Sequence, residues 1–274
     1  MKKKEKIKIG RKEIYCEKYE TSDKPVAAVI LVHGLGEHIE RYERLALEMV
    51  EHRLVVYGFD HVGHGESSGV RGHTSVEELF KPIARIRELI KQDYPGTEIG
   101  IFGHSMGGLV VLRYIEDYPQ DFYAAAVSAP AIFFSQANAE RIEKNKLFAR
   151  LFPFLTMENK IKQEHLSRNQ TEVVEYALDR KVHSKISLKL ALSMYENSNQ
   201  AFEKAGDIDI PLLFLKGTGD QIVPTEKDRA FFDRLTIENK AFCEYEGAYH
   251  EVFFDPEHGE EFRQDIIGWF RRQL

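Results

Sequence analysis

The chain has 274 residues, 43% of them hydrophobic and 30% charged, with a net charge of −6, the balance of a soluble globular protein with a full core in one large or two small domains. It offers no basic face interleaved with aromatics for nucleic acid, no apolar run of the ~18 residues that span a membrane, and its basic start, MKKKEKIKI, leads into polar GRKEIYCEKYE rather than the apolar stretch of a signal peptide. Its two cysteines, Cys16 and Cys243, are too far apart for zinc or CxxC spacing and read as reduced thiols of a cytoplasmic protein, while abundant lysine and glutamate hint at a hot habitat and a thermostable fold.

Residues 6–19 alternate apolar and polar around Gly10-Arg11, the pattern of an edge hairpin. VAAVILVHG (26–34) is a continuous apolar run ending in glycine, which predicts a strand buried on both faces. Tyr42, Leu45, Ala46 and Met49 then recur at helical spacing within 39–52, and LVVYGFD (54–60) is a second buried strand. Ser75 and Glu78 stand in capping-box spacing ahead of Leu79, Ile83, Ile86 and Ile90 on one helical face. TEIGIFG (97–103) is a third buried strand, 106–117 a helix and YAAAVSAP (123–130) a fourth strand. Residues 131 to about 205 break this rhythm: they are helical and amphipathic, without buried strands. Alternation resumes with PLLFLKG (211–217), a helix near 225–236, AFCEYEG (241–247) and a helix through Trp269. Strands alternating with helices predict an α/β fold, a mostly parallel sheet flanked by helices. Residues 1–130 and 206–274 form its core, and 131–205 are a helical cap inserted after the strand at 123–130.

Ser105 stands at the carboxyl end of the third buried strand, where ligands of open parallel sheets bind. GHSMG is a G-x-S-x-G pattern, the nucleophile elbow of the α/β-hydrolase fold. A strand that turns at once into a helix crowds two backbones together, so the neighbours at −2 and +2, Gly103 and Gly107, must be small. Ser105 is pushed out at a helix N-terminus that favours a developing anion. A serine needs a base and a group to orient it. In this fold they follow in the order acid, then histidine. PLLFLKGTGD delivers Asp220 just past a strand, whereas Asp209 precedes that strand and points to the wrong end of the sheet. YEGAYH delivers His250, and His258 lies deeper in the following polar stretch. The oxyanion donors are the backbone N–H groups of Met106, next to the serine, and Leu35, in the HGLGE loop. His33 and His104 read as hydrogen-bonded packing residues and Asp60 as a loop brace. His61 and His64 sit in a glycine-rich loop without a converging carboxylate cluster, so neither a metal nor an organic cofactor is expected.

LVHGLGEHIERY, GFDHVGHGESSG, GHSMGG, SAP and GAYHEVFFD together closely resemble the monoacylglycerol lipases, serine hydrolases of the α/β-hydrolase fold; the resemblance runs from about residue 26 to the C-terminus. It implies a triad of Ser105, Asp220 and His250, an oxyanion hole of Leu35 and Met106, and a cap enclosing an apolar acyl tunnel with a polar end for glycerol. LSRNQTEVVEYALD resembles the family's cap and makes Glu172 and Tyr176 the candidates at the glycerol end. Within 131–155, Ile132, Phe133, Phe134, Leu147, Phe148, Leu151, Phe152, Phe154 and Leu155 supply apolar surface for docking the cap, for lining the tunnel, and for peripheral contact with membrane or micelle surfaces. The expected substrate is monoacylglycerol. A lysophospholipase or broad carboxylesterase would use identical chemistry with a different pocket. A binding protein on this fold would have lost a triad member, and none is missing. A dehalogenase would carry aspartate at the elbow, and a cofactor-binding flavodoxin-like module would want a phosphate loop that HGLGEH does not form.

Overall fold

The structure is a computed structural model that describes residues 1–132 and 134–274; Phe133, one of the apolar residues of the 131–155 stretch, lies outside the described residues. The N-terminal alternation folds as a hairpin of β1 (Lys2–Ile9) and β2 (Lys12–Tyr19), with Gly10 turning at φ +60°. β1 is the sheet edge and β2 pairs antiparallel with β4 (Leu54–Phe59). β1 begins earlier than its alternation indicates because its outer residues are held by charge: Lys2 and Lys4 lie 3.1 and 3.6 Å from the buried Glu17 carboxylate.

β3 (Ala27–Val32), β4, β5 (Ile99–His104) and β6 (Ala124–Ser128) are buried along their whole length, as apolar runs without alternation require. Between them run α1 (Glu43–Glu51), α2 (Val76–Asp93) and α3 (Met106–Asp117). Ser75 caps α2, its Oγ accepting the Glu78 N–H at 3.4 Å, but the reciprocal half of the capping box is absent because the Glu78 carboxylate bonds Thr74 and Lys189 instead. The inserted segment holds α4 (Gln136–Lys144), α5 (Lys146–Leu151), β7 (Thr156–Glu158), α6 (Gln170–Leu178), β8 (Lys185–Ser187) and α7 (Leu188–Lys204). β7 and β8 pair as an antiparallel ribbon. Three-residue strands carry no readable period, which is why the sequence showed only helices there. α7 packs on the body: Ser193 Oγ accepts the Val76 N–H at 2.9 Å, and Asn197 bonds both Glu77 (2.6 Å) and Arg113 (3.2 Å).

β9 (Leu212–Gly217), α8 (Thr225–Phe232), β10 (Lys240–Tyr245) and α9 (Gly259–Arg272) complete the fold. The eight-stranded sheet runs β1-β2-β4-β3-β5-β6-β9-β10 and is parallel from β4 onward. This is the α/β-hydrolase architecture. One apolar layer lies between the sheet and α2, α3 and α7, the other between the sheet and α1 and α9. β5 is central, so the residue after it emerges mid-sheet, at the carboxyl ends of its neighbours.

Candidate active site

Ser105 turns between β5 and α3 at φ 53°, ψ −118°, a conformation that costs a non-glycine residue about 1–3 kcal/mol and persists only when its surroundings enforce it. They do. A Cβ on Gly103 would stand 2.7 Å from a Val111 methyl, and one on Gly107 would stand 2.7 Å from the Val32 carbonyl carbon. The turn is pinned to the end of β6 by Ser105 N–H to the Ser128 carbonyl (2.9 Å) and by Ala131 N–H to the Ser105 carbonyl (2.9 Å). Met106 opens α3, so its N–H is one of the donors a helix start leaves without an internal acceptor.

Asp220 follows β9. Its Oδ1 accepts the N–H groups of Ile222 (2.7 Å) and Val223 (3.1 Å), and its Oδ2 lies 2.8 Å from His250 Nδ1. That contact assigns the ring proton to Nδ1 and leaves Nε2 as the basic nitrogen. Burial opposes the charge on Asp220, but His250 and Lys216 outweigh it and hold the carboxyl well below the usual range. The two loops are locked together: Gly219 N–H donates to the Ala248 carbonyl at 2.9 Å, and a Cβ on Gly217 would stand 2.7 Å from the Ala248 carbonyl carbon. The His250 ring packs 4.8 Å from that of His104, the residue before Ser105. Asp209 is exposed ahead of β9, and His258 sits at the start of α9 against the Glu246 carbonyl.

The HGLGE loop borders the serine. A Cβ on Gly34 would come within 3.2 Å of Ser105 Cβ. Gly34 N–H donates to Glu37 Oε1 (2.6 Å), which also accepts the Tyr42 hydroxyl (2.7 Å). Arg41 bonds Glu37 Oε2 at 2.9 Å and grips Glu251, next to His250, through both carboxylate oxygens at 2.6 and 2.8 Å. The loops that carry Leu35 and His250 are thus held in one buried ion-pair network. Reading the sequence missed Glu37, Arg41 and Glu251 as supports; their signal was only charge beside two loops of the site.

Glu172 and Tyr176 share a groove with Arg41 of this network. They line a surface groove of about 490 Å³ with Glu40, Arg41, Glu48 and Asp179, and its walls include neither Ser105 nor His250. The Tyr176 ring instead stacks 4.7 Å from the Arg41 guanidinium. A second cavity, about 360 Å³, lies within the inserted segment between Phe134, Ile142, Phe148, Met157, Leu188 and Leu192, with Asn138, Arg141, Asn159 and Lys160 as its polar walls.

His33, His61, His64 and His183 form a cluster of tilted rings, with centroids 4.1 Å apart for His33–His61 and 4.6 Å for His64–His183. His61 N–H donates to His33 Nε2 at 2.9 Å, so His33 is a neutral, hydrogen-bonded packing residue. Burial holds His33 and His64 well below the ordinary imidazole range. Asp60 braces its loop through the N–H groups of Ile39 (2.8 Å) and Glu66 (2.7 Å). Among the described residues no group of three or more His, Cys, Asp or Glu could hold a metal ion, and no helix is long and apolar enough to cross a membrane.

Residues 23–257 match the family described as serine aminopeptidase, S33. A monoacylglycerol lipase of Paleococcus ferrophilus is 40% identical over 96% of this chain and 100% of its own, with a TM-score of 0.89. The human monoglyceride lipase is 30% identical over 86% of this chain and 79% of its own length. The chain belongs to the monoacylglycerol lipase family. This is a family of carboxylic ester hydrolases within the serine hydrolases. An abhydrolase-domain protein of Dictyostelium discoideum is 35% identical over 92% of this chain, which spans 27% of that longer protein.

Proposed function

We propose that the protein hydrolyses monoacylglycerols to glycerol and a fatty acid through an acyl-enzyme on Ser105. The observation that carries the chemistry is the Asp220–His250 bond of 2.8 Å, held against His104 beside the strained Ser105. His250 Nε2 takes the hydroxyl proton as Ser105 Oγ attacks the ester carbonyl. The Leu35 and Met106 N–H groups receive the oxyanion. The tetrahedral adduct collapses, the C–O bond to glycerol breaks, and the proton on His250 passes to the leaving alkoxide. Water then repeats the sequence on the acyl-enzyme and releases the fatty acid.

The substrate class is supported by the family's monoacylglycerol lipases; the 360 Å³ cavity of the inserted segment has apolar walls that suit an acyl chain, and, like the groove, its walls include neither Ser105 nor His250. The cap also presents Leu147, Leu151 and Phe154 at 71%, 65% and 73% exposure, an apolar strip suited to transient contact with a membrane or micelle surface. A panel of equal acyl chains on glycerol, diacylglycerol, triacylglycerol and lysophosphatidylcholine tests the reading. Monoacylglycerol is expected first and triacylglycerol near background. Lysophosphatidylcholine at or above monoacylglycerol overturns the choice of substrate.

A further inference from the structure

The end of β9 carries a lysine with no exposure, Lys216, in a strand whose other large side chains are all apolar. A lysine is almost never fully buried unless paired. Its ammonium group donates to Asp220 Oδ2 at 2.7 Å and to the Val223 carbonyl at 2.5 Å, and stands 3.0 Å from Oδ2 of Asp228 on α8. Asp220 Oδ2 is also the oxygen that faces His250. Asp228 is likewise fully buried. Apart from this ion pair, neither Asp228 oxygen has a hydrogen-bond donor among the described residues. Lys216 ties down the loop at Val223, and the Ile222 and Val223 N–H groups already orient Asp220; neither contact calls for a second buried carboxylate at Asp228.

Electrostatics gives the pair a role. The imidazolium that forms on His250 during acyl transfer is stabilised by negative charge beside it. Lys216 cancels the charge that Asp220 presents. With Asp228 ionised, one cation faces two carboxylates and the cluster has a net charge of −1. With Asp228 neutral, the net charge is zero. We propose that Lys216 and Asp228 are positioning residues of the acid, with Asp228 supplying the net negative charge that His250 draws on in the transition state. The proposal rests on the triad reading above. Burial pushes the Asp228 carboxyl up to about 7, against the pull of Lys216 and with the push of Asp220, so this charge is half present in neutral solution and fully present in alkaline solution. The charged groups facing Asp228 are Lys216 from β9, Asp220 from the loop after it and His250 from the loop after β10; His104 of β5 faces His250 from the other side.

The test is kcat/KM for p-nitrophenyl butyrate against pH for wild type, Asp228→Asn, and the double variant Lys216→Gln with Asp228→Asn, with circular dichroism as the check on folding. Asp228→Asn is expected to be roughly tenfold slower near pH 9 and within about twofold of wild type near pH 5.5, where Asp228 is already neutral in the wild type. The double variant leaves Asp220 alone as the net charge of −1, so its rate returns to within about threefold of wild type near pH 9. A ratio of wild type to Asp228→Asn that is flat with pH, as a structural defect would give, overturns the proposal. So does a double variant no faster than Asp228→Asn. Should Asp228→Asn not fold, the double variant decides: a folded double variant more than about threefold slower than wild type overturns the proposal. Ser105→Ala in the same assay separates the two levels. If it keeps activity, the triad reading fails; if it is inactive while the ratio is flat, this inference alone fails.

Discussion

The His183 N–H donates to the Gly36 carbonyl at 2.8 Å, so the inserted segment is hydrogen-bonded to the turn that carries Leu35. Gly36 has φ +80°, and a Cβ there would collide with the His183 carbonyl. The inserted segment just before β8 and the loop proposed to bind the oxyanion are therefore packed together, and the glycine is required twice, for its dihedral and for its lack of a side chain.

Gly36→Ala should separate the two. The strain costs about 1–3 kcal/mol of stability. The displaced Leu35 N–H should lower kcat by about 10- to 100-fold, less than the loss of an oxyanion donor outright. Thermal melts and kcat on a soluble ester check this. A variant with a lower melting point and unchanged kcat would show that the cap contact does not position Leu35.

Burial holds the His61 imidazole at about 4, against the support of its bond to the His33 carbonyl, while in the unfolded chain it titrates near about 6.5. The unfolded state therefore takes up a proton first, and the stability that His61 contributes above about pH 6.5 is lost as pH falls toward about 4. Glu116 and Asp228, pushed up to about 8 and about 7 by burial, act in the opposite sense, so the wild-type curve alone is not diagnostic. The informative quantity is the gap in unfolding free energy between wild type and His61→Gln. It should shrink by about 2 kcal/mol between about pH 7 and about pH 5. A gap that does not move would mean that His61 charges freely in the folded protein.

The exposed strip on the cap gives a third expectation. Leu151→Asp with Phe154→Asp removes apolar area worth about 1.5–3 kcal/mol per side chain. Co-sedimentation with phosphatidylcholine vesicles should therefore fall by about tenfold or more, while hydrolysis of a water-soluble short-chain ester stays unchanged. Equal vesicle binding by both proteins would remove the strip from the account.

Where the chain buries both faces of an element, its sequence was legible. β3 to β6 and β9 were visible as unbroken apolar runs, and α3 lies at 106–117 as its pattern indicated. The three residues proposed as the triad could be picked out because a parallel sheet delivers them at strand ends, after His104, Gly217 and Tyr245. Interactions between segments distant in the chain were not legible. The β7–β8 ribbon joins residues nearly thirty positions apart and is too short for any period. Tyr176 stacks on Arg41 of another segment, a choice that local pattern does not encode. Lys216 did leave a signal, a cation ending an apolar strand, but its partner Asp228 is on the following helix and looks like any acidic residue in a first turn.

The most direct test is glycerol release from monoacylglycerol by wild type and by folded Ser105→Ala, assayed in the same detergent. The account predicts turnover by the wild type and a loss of about 10⁴-fold or more in the variant, with unchanged melting temperature and with Asp220→Asn or His250→Ala added to it costing little further, because triad members act as a unit. A folded Ser105→Ala protein that keeps more than about 5% of wild-type turnover would contradict it, since the oxyanion hole and binding alone leave only a small residue of the rate.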